Sequence, residues 1–404
     1  MKRFLLLLLF IILPNQLFAE DNLSQSLWAE IVGEETEKPE GKVEPMLSGR
    51  FVLDVNSDNN YNATDSRQEY ADSRATGYLT SKLKLSNNLS VKSNLRFERV
   101  NKVSQDDARA SSADGGGDMA FDDQGINVKE LILNYERNNL SLMAGKFIAN
   151  FGNAWKSGRG IWTRDLNMAY IQQDKLGLGA SYKRGNLQKI GLYDFGFSAF
   201  TNDRKNMDNS ILSKRDSDHK YDGMPGDTRS LESYVASLDV SFRFEQKEEL
   251  FYHFAYLNLA ANEKTTLVDQ AKVEDQKGFV ANGKYRYPMG ENFLLDSFLE
   301  YVDMKNVGGD SDVGTKFVNA SFVGEIYRNW NITLAGTHVQ NKVIEENGYD
   351  QNFMEVSAGY KFDKTAIFDN FLIQIGYKNT RTDFKTSVTE QQSYGVLARY
   401  IKAF

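Results

Sequence analysis

Beyond residue 46 the chain settles into one repeated pattern, runs of about ten residues in which apolar and polar positions alternate. The apolar positions are filled by Val, Ile, Leu, Phe and Tyr, which suit a pleated surface. About sixteen such runs occur, at 48–56, 77–86, 89–100, 127–136, 140–147, 176–184, 189–200, 231–244, 248–259, 278–287, 292–302, 315–327, 330–340, 352–362, 370–380 and 391–404. A tilted strand of that length crosses a bilayer, so each run predicts one crossing.

The connections between the runs sort by parity. Those at 57–76, 101–126, 148–175, 201–230, 260–277, 303–314, 341–351 and 381–390 are long, and the ones between them are short, several using Asn, Gly or Pro. A soluble sandwich has no reason to do this. A closed transmembrane antiparallel β-barrel with an even strand number does, because extracellular loops are long and periplasmic turns short. The expected fold is therefore all-β, a barrel of about 16 strands over 47–404.

Single runs separate into two faces. Leu79, Leu83 and Leu85 oppose Thr80, Lys82, Lys84 and Ser86; Val91, Leu95 and Phe97 oppose Lys92, Asn94, Arg96 and Glu98; and Phe279, Tyr285 and Tyr287 oppose Asn282, Lys284 and Arg286. Alternation alone does not say which face is inside, and 248–259 reads ambiguously. Tyr78, Tyr135, Tyr182, Tyr234, Tyr301, Tyr360 and Tyr400 are expected at the two membrane interfaces.

The amino terminus changes the setting. Lys2 and Arg3, an apolar run from Phe4 to Leu13 and Ala19 before Glu20 form a secretory signal peptide over 1–19. Residues 20–46 are acidic and lack the alternation, which suits a periplasmic tail or linker. Loss of the leader takes the formal charge from −7 to about −9, which argues against a nucleic-acid partner. There is no cysteine, so the exported chain folds without disulfides. The last run, YGVLARYIKAF, ends on Phe404, similar to the terminal signature of outer-membrane proteins that barrel-insertion machinery reads. Together these place the protein in the outer membrane of a Gram-negative bacterium, in contact with lipid and lipopolysaccharide.

The connection 148–175 is too long for a hairpin turn and carries Phe151, Trp155, Ile161 and Trp162, more apolar surface than a loop in water needs. We expect it to fold back into the lumen and narrow the pore. Its Lys156, Arg159, Arg164 and Lys175 outnumber Asp165 and Asp174. The pore constriction is assigned to Lys156, Arg159, Arg164 and Asp165. Alternation assigns the pore lining to Arg50, Lys82, Lys84, Lys92, Arg96, Glu98, Lys284 and Arg286, with Arg243, Lys361, Lys378 and Arg399 also inward. Asp54, Glu130, Asp239, Asp296, Glu300, Glu325 and Glu355 face them.

The chain resembles the sixteen-stranded trimeric porins of Gram-negative bacteria. The more specific likeness lies in Gly145, Lys146, Phe147, Phe151, Gly152, Trp155 and Gly160, followed by Lys175, Leu176, Gly177, Leu178 and Gly179. That stretch looks like the strand, third loop and next strand of a porin family related to the phosphate-selective porins. The resemblance implies a homotrimer, no cofactor, and passive diffusion of small hydrophilic solutes through a pore set by the third loop. Because this loop is not acidic, a simple cation preference does not carry over. The alternatives are a channel selective for phosphate or another anion, and a structural or adhesive barrel.

Catalysis is the rival class. The three histidines, His219, His253 and His338, sit in no nucleophile constellation, so the protein is not expected to be an enzyme. The loop aspartates Asp114, Asp118, Asp122 and Asp123, and separately Asp310 and Asp312, fit no compact calcium loop, and no metal site is assigned.

Overall fold

The computed structural model describes residues 46–99, 119–121, 124–163, 167–187, 190–203, 224–244, 248–261, 273–290, 292–327, 329–343, 348–362 and 370–404. The signal peptide, the tail over 20–45, His219, the aspartates at 114, 118, 122 and 123, and the two loop residues Arg164 and Asp165 lie outside them.

Sixteen long strands close into one antiparallel barrel. In chain order they are β1 (Met46–Ala63), β2 (Tyr70–Lys84), β3 (Leu89–Arg99), β4 (Gln124–Arg137), β5 (Leu140–Ala149), β6 (Gln172–Asn186), β7 (Gly191–Asn202) and β8 (Ser233–Arg243). The second half is β9 (Glu249–Leu259), β10 (Gln276–Met289), β11 (Phe293–Lys305), β12 (Val313–Ile326), β13 (Trp330–Val343), β14 (Tyr349–Lys361), β15 (Phe371–Phe384) and β16 (Val388–Ala403). Each pairs with its chain neighbours, and β1 closes the ring on β16 with Asp54 opposite Arg399. A two-residue strand, Met119–Ala120, adds to β2 in parallel. Closure leaves the sheet without an edge strand, as a bilayer demands.

The strand count matches the alternation, but the strands outrun it. β1 and β2 pair from Met46 opposite Lys84 up to Asn60 opposite Tyr70, so the predicted loop 57–76 shrinks to 64–69. In the same way 303–314 becomes 306–312, 341–351 becomes 344–348 and 381–390 becomes 385–387. The wall continues past the apolar band into a zone polar on both faces, where backbone pairing persists but the hydrophobic period that marks strands is gone. The barrel also begins at Met46 rather than Leu47.

The outside is apolar. Leu131, Leu133, Phe195, Phe197, Phe254, Phe279, Leu299, Phe322, Leu334, Met354, Val356 and Ile375 are all large and exposed there. Tyr78 is a correction to the expected girdle. It shares the inward face with Asp72 and Arg74, and the Arg96 guanidinium lies over its ring at 5.1 Å. The interior is not polar throughout either. Phe147, Phe200, Val235, Leu257, Val280, Phe298, Val302 and Phe317 point inward and are buried in one core with Phe151, Ala154 and Tyr170 of the 150–171 connection. This settles the ambiguous strand: on β9 Phe251, His253, Ala255 and Leu257 are buried inside, while Tyr252, Phe254 and Tyr256 face out. Both faces are apolar there, one being the outside of the barrel and the other the side that packs on the loop.

Candidate functional site

The 150–171 connection leaves β5 and crosses the barrel interior. Its first residue, Asn150, donates from Nδ2 to Ser237 Oγ at 3.2 Å and Asp239 Oδ2 at 3.0 Å, both on β8. Phe151 then buries in the inward core, and Gly152 turns the chain at φ +79° with Tyr170 packed where a side chain would stand. A four-residue helix, α1 (Ala154–Ser157), follows.

Two wall carboxylates hold this path. Glu300 on β11 accepts from the backbone N–H of Asn153 at 2.6 Å and of Ala154 at 3.0 Å, and from Asn282 Nδ2 at 2.7 Å and the Tyr170 hydroxyl. Glu355 on β14 accepts from the N–H of Ile161 at 2.5 Å, Trp162 at 3.1 Å and Thr163 at 3.2 Å, and from the hydroxyls of Thr163 and Ser357. Successive backbone N–H groups on one oxygen pair form an anion nest, and a buried carboxylate with that many donors replaces the water it lost. Both carboxylates are essentially inaccessible, at 0% and 2% exposure. Gly160, at φ +128°, lets the chain pass so close that a Cβ would sit 2.5 Å from Glu355 Oε1.

Further on, Trp162 donates from Nε1 to Asp58 Oδ1 on β1 at 2.8 Å, with its ring against Gly395 and the Lys378 ammonium 5.2 Å from its centre. Asp58 lies directly opposite Asp72, and Arg74 sits between them at 3.6 and 3.7 Å, which offsets the like-charge contact. On the return, a turn of 3₁₀ helix (Met168–Tyr170) brings the Tyr170 hydroxyl to Glu300, with Asn319 Nδ2 donating to it at 2.8 Å. Burial, reinforced by the Glu300 charge, holds the Tyr170 phenol well above its ordinary pKa, so it stays protonated as a donor. The connection is thus fastened to β8, β11, β12, β14 and β1, which places it inside the lumen.

The expected site residues fall into two groups. Arg50, Lys82, Lys84, Lys92, Arg96 and Glu98 share the inward face of β1 to β3, with Lys82 directly opposite Lys92. Lys82 lies 3.8 Å from Glu136, Lys92 3.9 Å from Glu130, and Arg96 3.0 Å from Glu98. Lys284 and Arg286 lie on β10 instead. Lys284 is 3.4 Å and Arg159 3.9 Å from the same Asp296 oxygen, and Arg286 is 3.8 Å from Glu249. Lys156 lies over the Trp155 ring at 5.4 Å. Lys175 and Asp174 do not belong to the constriction. They open β6 at the wall, where Lys175 donates to Asn202 and Asp174 pairs with Lys146 at 2.9 Å. The strand begins earlier than the sequence pattern indicated, because Gln172 already pairs with Ala149.

Sequence reasoning placed Glu300 and Glu355 in the lumen but not as anchors, and it passed over Asp58, Asn150, Tyr170 and Asn319. The clue was Gly152 and Gly160, two glycines inside a loop that packs closely against something.

Neither a protein-family model nor a curated protein matches this chain. Among solved structures it is similar to the in-vitro folded OmpT, an outer membrane protein of Vibrio cholerae. The TM-score is 0.51 at 11% identity, over 91% of this chain and 100% of that one. It is also similar to the outer membrane channel DcaP of Acinetobacter baumannii, with a TM-score of 0.51 at 12% identity over 91% and 99% of the two chains. The fold is that of outer-membrane barrels. Identities this low speak for the fold alone.

Proposed function

We propose that this protein is an outer-membrane porin, a water-filled channel for passive diffusion of small hydrophilic solutes and ions, narrowed by its 150–171 loop. The observation that carries the reading is the crossing loop itself, pinned on one side by Glu300 and on another by Glu355 and Asp58. A barrel of sixteen strands is wide enough to hold water, so an inward loop fixed at mid-height sets the aperture. A homotrimer is part of the proposal. The test is single-channel recording of the purified protein in a planar bilayer. Steps of steady conductance, in triplets for a trimer, are the expected result; a membrane that stays silent at high protein loading would sink the reading in favour of a structural barrel.

A preference for anions is the second reading, and one asymmetry favours it. The loop's backbone N–H groups occupy Glu300 and Glu355, while Lys82 and Lys92 keep 40% and 38% of their side-chain surface on the opposite wall. Carboxylates satisfied by the loop exert less field on the open path than half-exposed ammonium groups do. Exchanging Arg159 and Arg164 for Ser probes the loop's share of that field by reversal potential. We take the protein not to be an enzyme: His253 is bonded within the wall to Asp239 and His338 to Asn352, and neither contact builds a nucleophile.

A further inference from the structure

The outside of the barrel carries a row of cations at one end of the strands β10 to β13. On β10 Lys277 and Phe279 are exposed, and Gly278 and Val280 between and beyond them are buried inside. On β11 Tyr301 and Lys305 are exposed while Val302 and Met304 are buried. On β12 Gly314 alternates with buried Thr315, and on β13 Lys342 shares the exposed face of His338. Register sets Lys277 opposite Lys305, Lys305 opposite Gly314, and Gly314 opposite Lys342. Three outward lysines and a glycine thus stand side by side across four strands, a row about 14 Å wide at the usual strand spacing.

Like charges directly opposite one another destabilise a sheet, so Lys277 and Lys305 call for an anion between them. The wall does not supply one. The acids beside the row are engaged elsewhere: Asp303 lies 4.0 Å from Lys316, Glu274 accepts from Asn306, and Asp275 accepts from the Ala261 amide. Among the described residues none of the three lysines forms an ion pair.

Height indicates where such an anion comes from. Lys277 stands ten residues along β10 from Tyr287, Lys305 twelve along β11 from Phe293, and Lys342 twelve along β13 from Trp330. These aromatic residues mark the short-turn end. At about 3.3 Å per residue and a tilt near 40°, the separation is roughly 25–30 Å, the height of an apolar band with its flanking girdles. The long connections leave from the lysine end, which makes it the extracellular side. Immediately below the row the same outer face is apolar, with Phe279, Tyr301 and Val318 exposed.

We propose that Lys277, Lys305 and Lys342 bind the phosphate groups of an outer-leaflet glycolipid, the headgroup chemistry of lipopolysaccharide. One phosphate lies between Lys277 and Lys305 and neutralises their opposition. Gly314 puts no side chain between Lys305 and Lys342, so a sugar headgroup rests on the wall there and brings a second phosphate to Lys342. The acyl chains then run down over Phe279, Tyr301 and Val318, which a free phosphate would leave uncovered. The site rests on placement in the outer membrane and not on the channel reading.

The test titrates the full-length folded protein in neutral detergent with diphosphoryl lipid A and counts bound lipid by native mass spectrometry. Saturable binding is expected, weakening as salt rises because the lysines are exposed. Exchanging Lys277, Lys305 and Lys342 together for Gln should weaken it about a hundredfold, roughly fivefold for each ammonium group removed. Lys402→Gln, an outward lysine at the opposite rim, should change it less than twofold. Dephosphorylated lipid A should bind as poorly as the triple variant binds the intact lipid, and millimolar inorganic phosphate should fail to displace the lipid. Undiminished binding in the triple variant, equal weakening by Lys402→Gln, or equal binding of the dephosphorylated lipid overturns the proposal. Displacement by inorganic phosphate would make this a free-anion site and overturn the lipid source. None of these outcomes depends on conductance, so a silent bilayer would count against the channel alone.

Discussion

At the scale of single residues, the loop depends on a few acceptors rather than on many contacts. Glu355 receives three successive backbone N–H groups and two hydroxyls. Glu355→Gln keeps the volume but replaces one oxygen with a donor, which opposes an N–H. Losing charge-assisted bonds of this kind costs about 1.5–3 kcal/mol, and we expect faster hydrogen exchange at 161–163 and flickering single-channel currents. An unchanged open level with unchanged noise would remove Glu355 from the anchor. Gly160→Ala tests the same contact from the loop side. The added methyl meets Glu355 at 2.5 Å in a backbone region costly to side chains, by about 1–3 kcal/mol. The same loosening is expected there, with barrel melting less affected than loop exchange.

At the scale of elements, the loop is part of the core and not an addition to it. Phe151, Ala154 and Tyr170 complete an inward cluster with residues of β4, β5, β7 to β13. Replacing 152–169 by a short Gly-Ser linker should widen the pore and raise single-channel conductance severalfold. It should also destabilise the barrel, because Phe147, Phe200, Leu257, Val280 and Phe298 would lose their cover. Gel migration with heating follows the second effect, and a truncated barrel that melts as the full one does would show that the cluster contributes little. At this scale the alternation was informative on β2 and β3, where an apolar outer face opposes Lys82, Lys84, Lys92, Arg96 and Glu98. It was silent on β9, where His253 is one of few polar inward positions.

At the scale of the whole molecule, exposed charge is uneven around the lumen. Half-exposed Lys82 and Lys92 stand on β2 and β3, while the loop covers the acidic positions of β11 and β14. Lys82→Gln with Lys92→Gln should move the reversal potential in a salt gradient toward cation preference. The difference should shrink at high salt, since screening shortens the reach of exposed charges to about 3 Å at 1 M. A potential unmoved at low salt would mean these lysines only solvate the wall.

The sequence by itself determined the number of strands and their antiparallel order. These follow from a period of two and from connection length, which are local quantities readable along the chain. It also marked 148–175 as an unusual loop through its buried-type residues. The tertiary structure alone decided where that loop goes, that Lys175 and Asp174 belong to the wall, that Tyr78 points inward and that β1 and β2 extend beyond the apolar band. The physical reason is sequence distance. Glu300 and Glu355 meet amides about 150 and 190 residues earlier, and a carboxylate that will accept a distant N–H carries no local mark to distinguish it from one that will face water.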